Sequence, residues 1–278
     1  MHSYVRGGLT FDVTDEGPAD GRLVIALHGF PEDRGCWSPL VPQLTGAGYR
    51  VLAPDQRGYS PGARPRRRRD YALNELAADI LALADVAGAD TFDVIGHDWG
   101  AGVAWELAAR HPDRVRTLTA LSVPHPRAMA DSMLRSTQLL HSWYMLFFQL
   151  PRLPEWAMRA AGPERAVAAL EKDGLDGGSA RRYALRMQDP KAMTGPINWY
   201  RGLPFGPRQP LPPVSRPTLL VWGDRDRYLT RKSVERTGRY VTGPYRFEPL
   251  AGATHWLPSG ATDRIAPLIL DHLASHPS

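Results

Sequence analysis

The stretch Val94-Ile95-Gly96-His97-Asp98-Trp99-Gly100-Ala101-Gly102 limits what this chain can fold into more than any other. An apolar run breaks at a Gly-x-Asp-x-Gly turn and re-enters small, helix-compatible residues, the pattern of a strand turning sharply into a helix. Such a turn holds its central residue at strained dihedrals, and glycine at 96 and 100 keeps neighbouring backbone from colliding. Asp98 then projects alone from the turn. Serine at the tip of such an elbow attacks acyl carbon, whereas a carboxylate attacks alkyl carbon and leaves an alkyl ester on the protein. A plain Gly-rich turn with a solvated aspartate has the same local sequence, so the decision falls to the rest of the chain.

In chain order, residues 9–13 alternate as a strand, and the turn-rich segment 15–21 suggests a hairpin leading into the sheet. Residues 23–27 are continuously apolar, as in a strand covered on both faces. Helical spacing over 37–44 precedes a strand over 49–55; a helix over 73–86 precedes the strand at 92–96, and a helix over 101–110 precedes a strand over 115–123. From 124 to 217 the alternation stops, and aromatic-rich helical stretches such as 139–150 stand between Pro and Gly clusters. Strand rhythm returns at 218–224, then a helix over 232–240, a strand over 245–250 and a last helix over 263–273. The reading is an α/β fold with a mostly parallel sheet flanked by helices. Residues 1–123 and 218–278 form its two core parts, and 124–217 an inserted helical cap. Functional groups belong at the carboxyl ends of the strands.

A length of 278 residues with 43% hydrophobic content suits one large domain with an insertion. The net charge of +5 raises nucleic acid as a partner, but lysine occurs only at 172, 191 and 232, and the one dense basic run, Arg66 to Arg69, has no interleaved aromatics to stack bases. That run reads as a solvated surface loop, with no nucleic-acid partner. A lone cysteine, Cys36, excludes an intrachain disulfide framework and fits a reducing compartment. The first residues lack the basic and apolar regions of a signal peptide, and no apolar run approaches a membrane span. The expectation is a soluble cytoplasmic protein with no membrane partner, monomeric or homodimeric.

Release of an alkyl ester needs a base beside Asp98 to activate water. His255, just after the last strand, can reach the elbow at the adjacent strand end, and the order nucleophile, acid, histidine is that of the hydrolase fold with this elbow. The acid that orients it is Asp226 or Asp224, both following the strand at 218–224; Asp226 is favoured because it lies two residues further into the loop, and the end of the preceding strand offers only Ser122. His97, beside the nucleophile, is assigned a packing or hydrogen-bonding role. Backbone amides of Phe30 and Trp99 are placed to stabilise a tetrahedral oxyanion. The Phe30–Pro31 bond admits a cis form, and Pro31 serves equally as a plain turn residue.

With GHDWGA at 96–101, HGFPE at 28–32, DQRGYS at 55–60, GDRD at 223–226 and the histidine of ATHW, the chain resembles α/β-hydrolases of the epoxide hydrolase group over nearly its whole length. That family uses two cap tyrosines to hydrogen-bond and protonate the epoxide oxygen. By this resemblance they are Tyr144, in Trp143-Tyr144-Met145-Leu146-Phe147-Phe148, and Tyr200, in Asn198-Trp199-Tyr200-Arg201. Phenols suit the task, because a strained ether needs its leaving oxygen stabilised. Either tyrosine also suits plain packing with its hydroxyl at a rim. Trp99, Phe30, Trp143, Phe147 and Trp199 are candidate apolar walls for a small hydrophobic epoxide. The chemistry requires no metal and no cofactor. A haloalkane dehalogenase is the nearest alternative, but it pairs the elbow tryptophan with a second halide donor where this chain has Phe30. Fluoroacetate dehalogenases carry arginine after the aspartate, where this chain has Trp99, and a carboxylesterase needs serine at 98. A hydrolase-fold binding protein without turnover is the remaining reading.

Overall fold

A computed structural model describes residues 1–135 and 137–277 of the chain. Its strands are β1 (Ser3–Arg6), β2 (Leu9–Glu16), β3 (Leu23–Leu27), β4 (Arg50–Pro54), β5 (Phe92–His97), β6 (Val115–Leu121), β7 (Thr218–Gly223) and β8 (Tyr245–Leu250). They lie in the order β1-β2-β4-β3-β5-β6-β7-β8. The pairs from β4 to β8 are parallel, and β1 and β2 form an antiparallel edge. Helices α1 (Val41–Gly46), α2 (Leu73–Val86) and α3 (Trp99–Arg110) connect the strands up to β6. A helical segment then follows: α4 (Pro126–Arg135), α5 (Gln138–His141), α6 (Trp143–Gln149), α7 (Leu153–Ala161), α8 (Pro163–Lys172), α9 (Gly177–Arg186) and α10 (Pro190–Gly202). After β7 come α11 (Arg231–Glu235), α12 (Leu257–Gly260) and α13 (Thr262–Ala274).

The apolar runs are explained by two-sided covering. Successive side chains of a strand point to opposite faces. In β3, Leu23, Ile25 and Leu27 join the core under α2 and α3, together with Trp105 and Leu118. Val24 and Ala26 join the core on the other face, with Val41 and Leu44 of α1 and Ile265 and Ile269 of α13. All residues of β3, β5 and β7 are buried. No helix among the described residues is long and apolar enough to cross a membrane.

Three local expectations change. The segment after β2 is no hairpin turn between sheet neighbours, because β4 lies between β2 and β3. The hairpin is β1–β2, where Arg6 faces Leu9 across Gly7 and Gly8. Both glycines have positive φ, as a two-residue turn that matches strand twist requires. The helix read over 37–44 is a 3-10 turn, Arg34–Trp37, followed by α1, which has a proline in its first turn. The helix read over 232–240 is α11 and a separate 3-10 turn, Thr237–Tyr240.

The helical segment is tied to the sheet ends by the loop after β4. Arg57 donates Nε and Nη2 to the two oxygens of Asp79 on α2, at 2.8 and 2.7 Å, and Nη1 to the Asp70 carbonyl. The Arg57 carbonyl in turn accepts the indole N–H of Trp199 on α10 at 2.7 Å. Arg57 and Asp79 are both buried, and Arg6 also reaches Asp79 Oδ1 at 2.8 Å, so removing Asp79 takes the nearest carboxylate from two arginines. Asp79→Ala is expected to cost about 3–5 kcal/mol in urea unfolding, the range for breaking a buried pair; a loss below about 1 kcal/mol would show the pair to be dispensable.

Candidate active site

At the end of β5 the chain turns into α3 through Asp98, at φ 49° and ψ −121°. A side chain at 100 would place its Cβ 2.1 Å from the Leu27 carbonyl oxygen, and one at 96 would lie 2.4 Å from the Gly100 carbonyl oxygen. Glycine at both positions lets β5 and α3 close on β3, which holds Asp98 in its left-handed turn. The Phe30 amide donates to Asp98 Oδ1 at 2.8 Å, and the Phe30–Pro31 bond is cis. Trp99 opens α3 immediately after Asp98.

The strand before His255, β8, is not adjacent to β5, since β6 and β7 lie between them, yet the loop after β8 reaches back and presents His255 Nε2 3.5 Å from Asp98 Oδ2 and Nδ1 2.7 Å from Asp226 Oδ2. The second Asp226 oxygen accepts the amides of Tyr228 and Leu229, at 2.7 and 3.0 Å. Asp224 is exposed and accepts the Gly252 amide instead. The His255 carbonyl accepts from Ser122 Oγ and faces His97 Nε2, both at 2.8 Å. His97 Nδ1 lies 2.7 Å from Glu32 Oε2, which also accepts the Gly29 amide. A carbonyl only accepts, so Nε2 of His97 carries a proton.

Burial alone would lower the His255 pKa, but the charge of Asp226 and the hydrogen bonds to Asp226 and Asp98 outweigh it and hold it up at about 10. Burial pushes Asp98 up, yet the His255 hydrogen bond and charge, with His97 and the Phe30 amide, keep it below the ordinary carboxylate value. The resting site is therefore an ion pair of Asp98 carboxylate with His255 imidazolium. Glu32 balances the same way, its burial outweighed first by the charge of His97.

Asp98 and His255 face a cavity of about 630 Å³ whose walls come from the loop at Phe30 and from the helical segment. Tyr144 and Tyr200 both line it, with ring centroids 6.0 Å apart. Burial raises both phenols, with Asp98 adding to each, so both are neutral donors near pH 7. Of the proposed walls, Phe30 and Trp143 line the cavity, Trp143 at its open side with 64% exposure. Trp199 does not: its indole N–H is committed to Arg57, and the ring packs in the core. Trp99 packs edge-on against Tyr200 and Trp199, and Phe147 against Trp143 and Phe148. Neither is among the lining residues; Phe148 and Met187 take that place. Tyr228 is a lining residue that sequence reasoning missed. It sits 5.0 Å from the His255 ring and donates to Asp173, and no periodic signal marks it. Glu32 was visible only as the last letter of HGFPE.

Residues 22–258 match the family model described as the alpha/beta hydrolase fold. Over 96% of its length the chain is 35% identical to the AB hydrolase superfamily protein YfhM of Bacillus subtilis (strain 168), covering 95% of that protein. It is 31% identical to Epoxide hydrolase A of Mycobacterium tuberculosis (strain ATCC 25618 / H37Rv), covering 96% of this chain and 94% of that one. The chain belongs to the epoxide hydrolase family of the α/β-hydrolase fold. The crystal structure of Epoxide Hydrolase A from Mycobacterium thermoresistibile superposes on this epoxide hydrolase family member with a TM-score of 0.84 at 27% identity, covering 98% and 97% of the two chains.

The pKa of His255 lies above that of an unfolded histidine. The ion pair therefore stabilises this family member fully between the carboxylate range, where Asp98 takes up its proton, and about pH 6.5, and the contribution is lost as pH rises toward 10. Imidazole NMR is expected to show His255 still protonated at pH 8, and Asp98→Ala to move its titration downward by removing one of the two carboxylates. An unchanged midpoint in the variant would remove Asp98 as a source of that shift.

Proposed function

We propose that this protein is a hydrolase that opens a small hydrophobic epoxide to a vicinal diol, with the helical segment 124–217 as a cap over the two core parts 1–123 and 218–278. The observation that carries the reading is the single cavity in which Asp98, His255, Tyr144 and Tyr200 meet. Phe30 N–H holds Asp98 Oδ1 at 2.8 Å, while Oδ2 has only the looser 3.5 Å contact with His255 Nε2, so Oδ2 is the oxygen that attacks an epoxide carbon. The C–O bond that breaks leaves its electrons on the ring oxygen, which takes a proton from the Tyr144/Tyr200 pair. Alkylation neutralises Asp98. The Coulombic hold on the His255 proton falls, His255 gives that proton up to restore the phenol, and neutral imidazole stands ready as base.

Water then attacks the Asp98 carboxyl carbon. Negative charge builds on Oδ1, where the Phe30 amide meets it, with Trp99 N–H as the second donor. The ester C–O bond breaks and the diol leaves with Oδ2. One water proton goes to the diol oxygen and the other ends on His255, restoring the ion pair. Asp226, with both oxygens engaged, fixes the imidazole and its charged form. No step calls for a metal or cofactor. A halide would need a second side-chain donor at position 30, and phenylalanine supplies none, which favours the epoxide over the haloalkane.

Asp98→Ala is expected to abolish diol formation from styrene oxide, and His255→Gln to accumulate a covalent adduct visible by intact mass; normal steady-state rates in either variant would end the scheme. In one turnover with excess protein in heavy-oxygen water, solvent label is expected in the Asp98 peptide and not in the diol. Label in the diol would indicate direct attack by water, and halide release from dibromoethane without diol formation would favour the dehalogenase. Replacing Tyr144 and Tyr200 together by phenylalanine is expected to lower kcat by about 10²–10⁴, the range for a positioned acid. An undiminished kcat would assign both rings to packing.

A further inference from the structure

A second cavity, of about 800 Å³, shares no lining residue with the first and lies across α7 and α10 from it. Arg66 and Arg68, from the basic run before α2, meet Arg152 and Arg159 of the α7 region at its walls, and Arg201 and Glu155 complete its charged lining. Five guanidinium groups thus face one carboxylate. Glu155 is already bound on both oxygens by Arg201, which also holds the carbonyls of Phe148 and Leu150. Among the described residues Arg66, Arg68, Arg152 and Arg159 form no ion pair. By contrast, Arg6, Arg22, Arg50, Arg57 and Arg114, around the sheet and α2, each meet an aspartate.

Four unbalanced positive charges around one concavity nearly equal the net +5 of the whole chain. Like charges drawn together from two distant segments repel, and a concave wall concentrates their field toward an anion. A guanidinium fork matches phosphate oxygens two at a time. The wall also carries Trp156, 67% exposed, whose indole offers a flat apolar face. We propose that this cavity binds a compact soluble polyanion bearing a flat ring, of the nucleoside diphosphate class, with the diphosphate among the four free arginines and the ring on Trp156. Arg201 is the rigid floor, held by Glu155 and two carbonyls and so not free to take the ligand.

Isothermal titration of the full chain in low-salt buffer tests this with ADP and inorganic pyrophosphate as probes. Both are expected to bind at one per chain and to weaken as salt rises. Arg68→Gln and Arg159→Gln, on the exposed surface, are each expected to weaken both probes about tenfold, the loss of one charge-assisted contact. Trp156→Ala is expected to weaken ADP toward pyrophosphate and leave pyrophosphate unchanged. Far-UV circular dichroism identical to the parent shows that the variants are folded. No binding at millimolar probe, or binding that ignores both arginine substitutions, overturns the proposal. So does sedimentation with phosphatidylglycerol vesicles that both substitutions abolish, in the absence of any soluble-probe binding; the charge would then face a membrane surface.

Discussion

Between Leu27 at the end of β3 and Gly100 in the first turn of α3 there is no room for a Cβ, which would lie 2.1 Å from a carbonyl oxygen. The same tightness recurs at Gly96 against Gly100, and at Gly29, where a Cβ would meet the Asp98 Cβ at 2.4 Å. These backbone approaches hold Asp98 at positive φ and bring the Phe30 amide within 2.8 Å of its carboxylate. A strained turn persists only where its surroundings over-determine it. Here they do so with two strands, a helix and a loop, and the geometry of the site depends on that packing.

Electrostatics then completes what packing begins. One imidazole sits between two carboxylates, and its carbonyl is gripped by Ser122 and faced by His97, so ring and backbone are held separately. Ser122 itself sits at positive φ, at the end of β6, where the strand stops short of its apolar run. Glu32 places a further negative charge behind His97. The buried charges alternate in sign from Asp98 through His255 to Asp226. Alternation of this kind lets several ionised groups share a poorly hydrated space, because each is matched by a neighbour.

The helical segment supplies what the sheet lacks. Its inner faces carry Tyr144, Phe148, Met187 and Tyr200 over the strand ends, and the Arg57–Trp199 link sets where α10 lies relative to the loop after β4. The two cavities occupy opposite sides of α7 and α10. One is mostly apolar around a buried ion pair, the other lined by four arginines without an ion pair among the described residues and by Arg201, which Glu155 holds.

The parallel core, the elbow, and the histidine and acid after the last two strands were legible in the sequence, because each is a local pattern: apolar runs between turns, glycines flanking an aspartate, a short loop after a strand. The hairpin was misplaced, because strand neighbours are set by crossover connections and β4 comes between β2 and β3. Trp99, Phe147 and Trp199 were read as cavity walls because an aromatic in a helical run shows its period and not its direction. A buried indole N–H must find an acceptor, and for Trp199 the only way to the Arg57 carbonyl is inward. Tyr228 and the arginine cavity were invisible for a related reason: each joins residues far apart in the chain, and only the packing of the helical segment against the sheet ends decides that they meet.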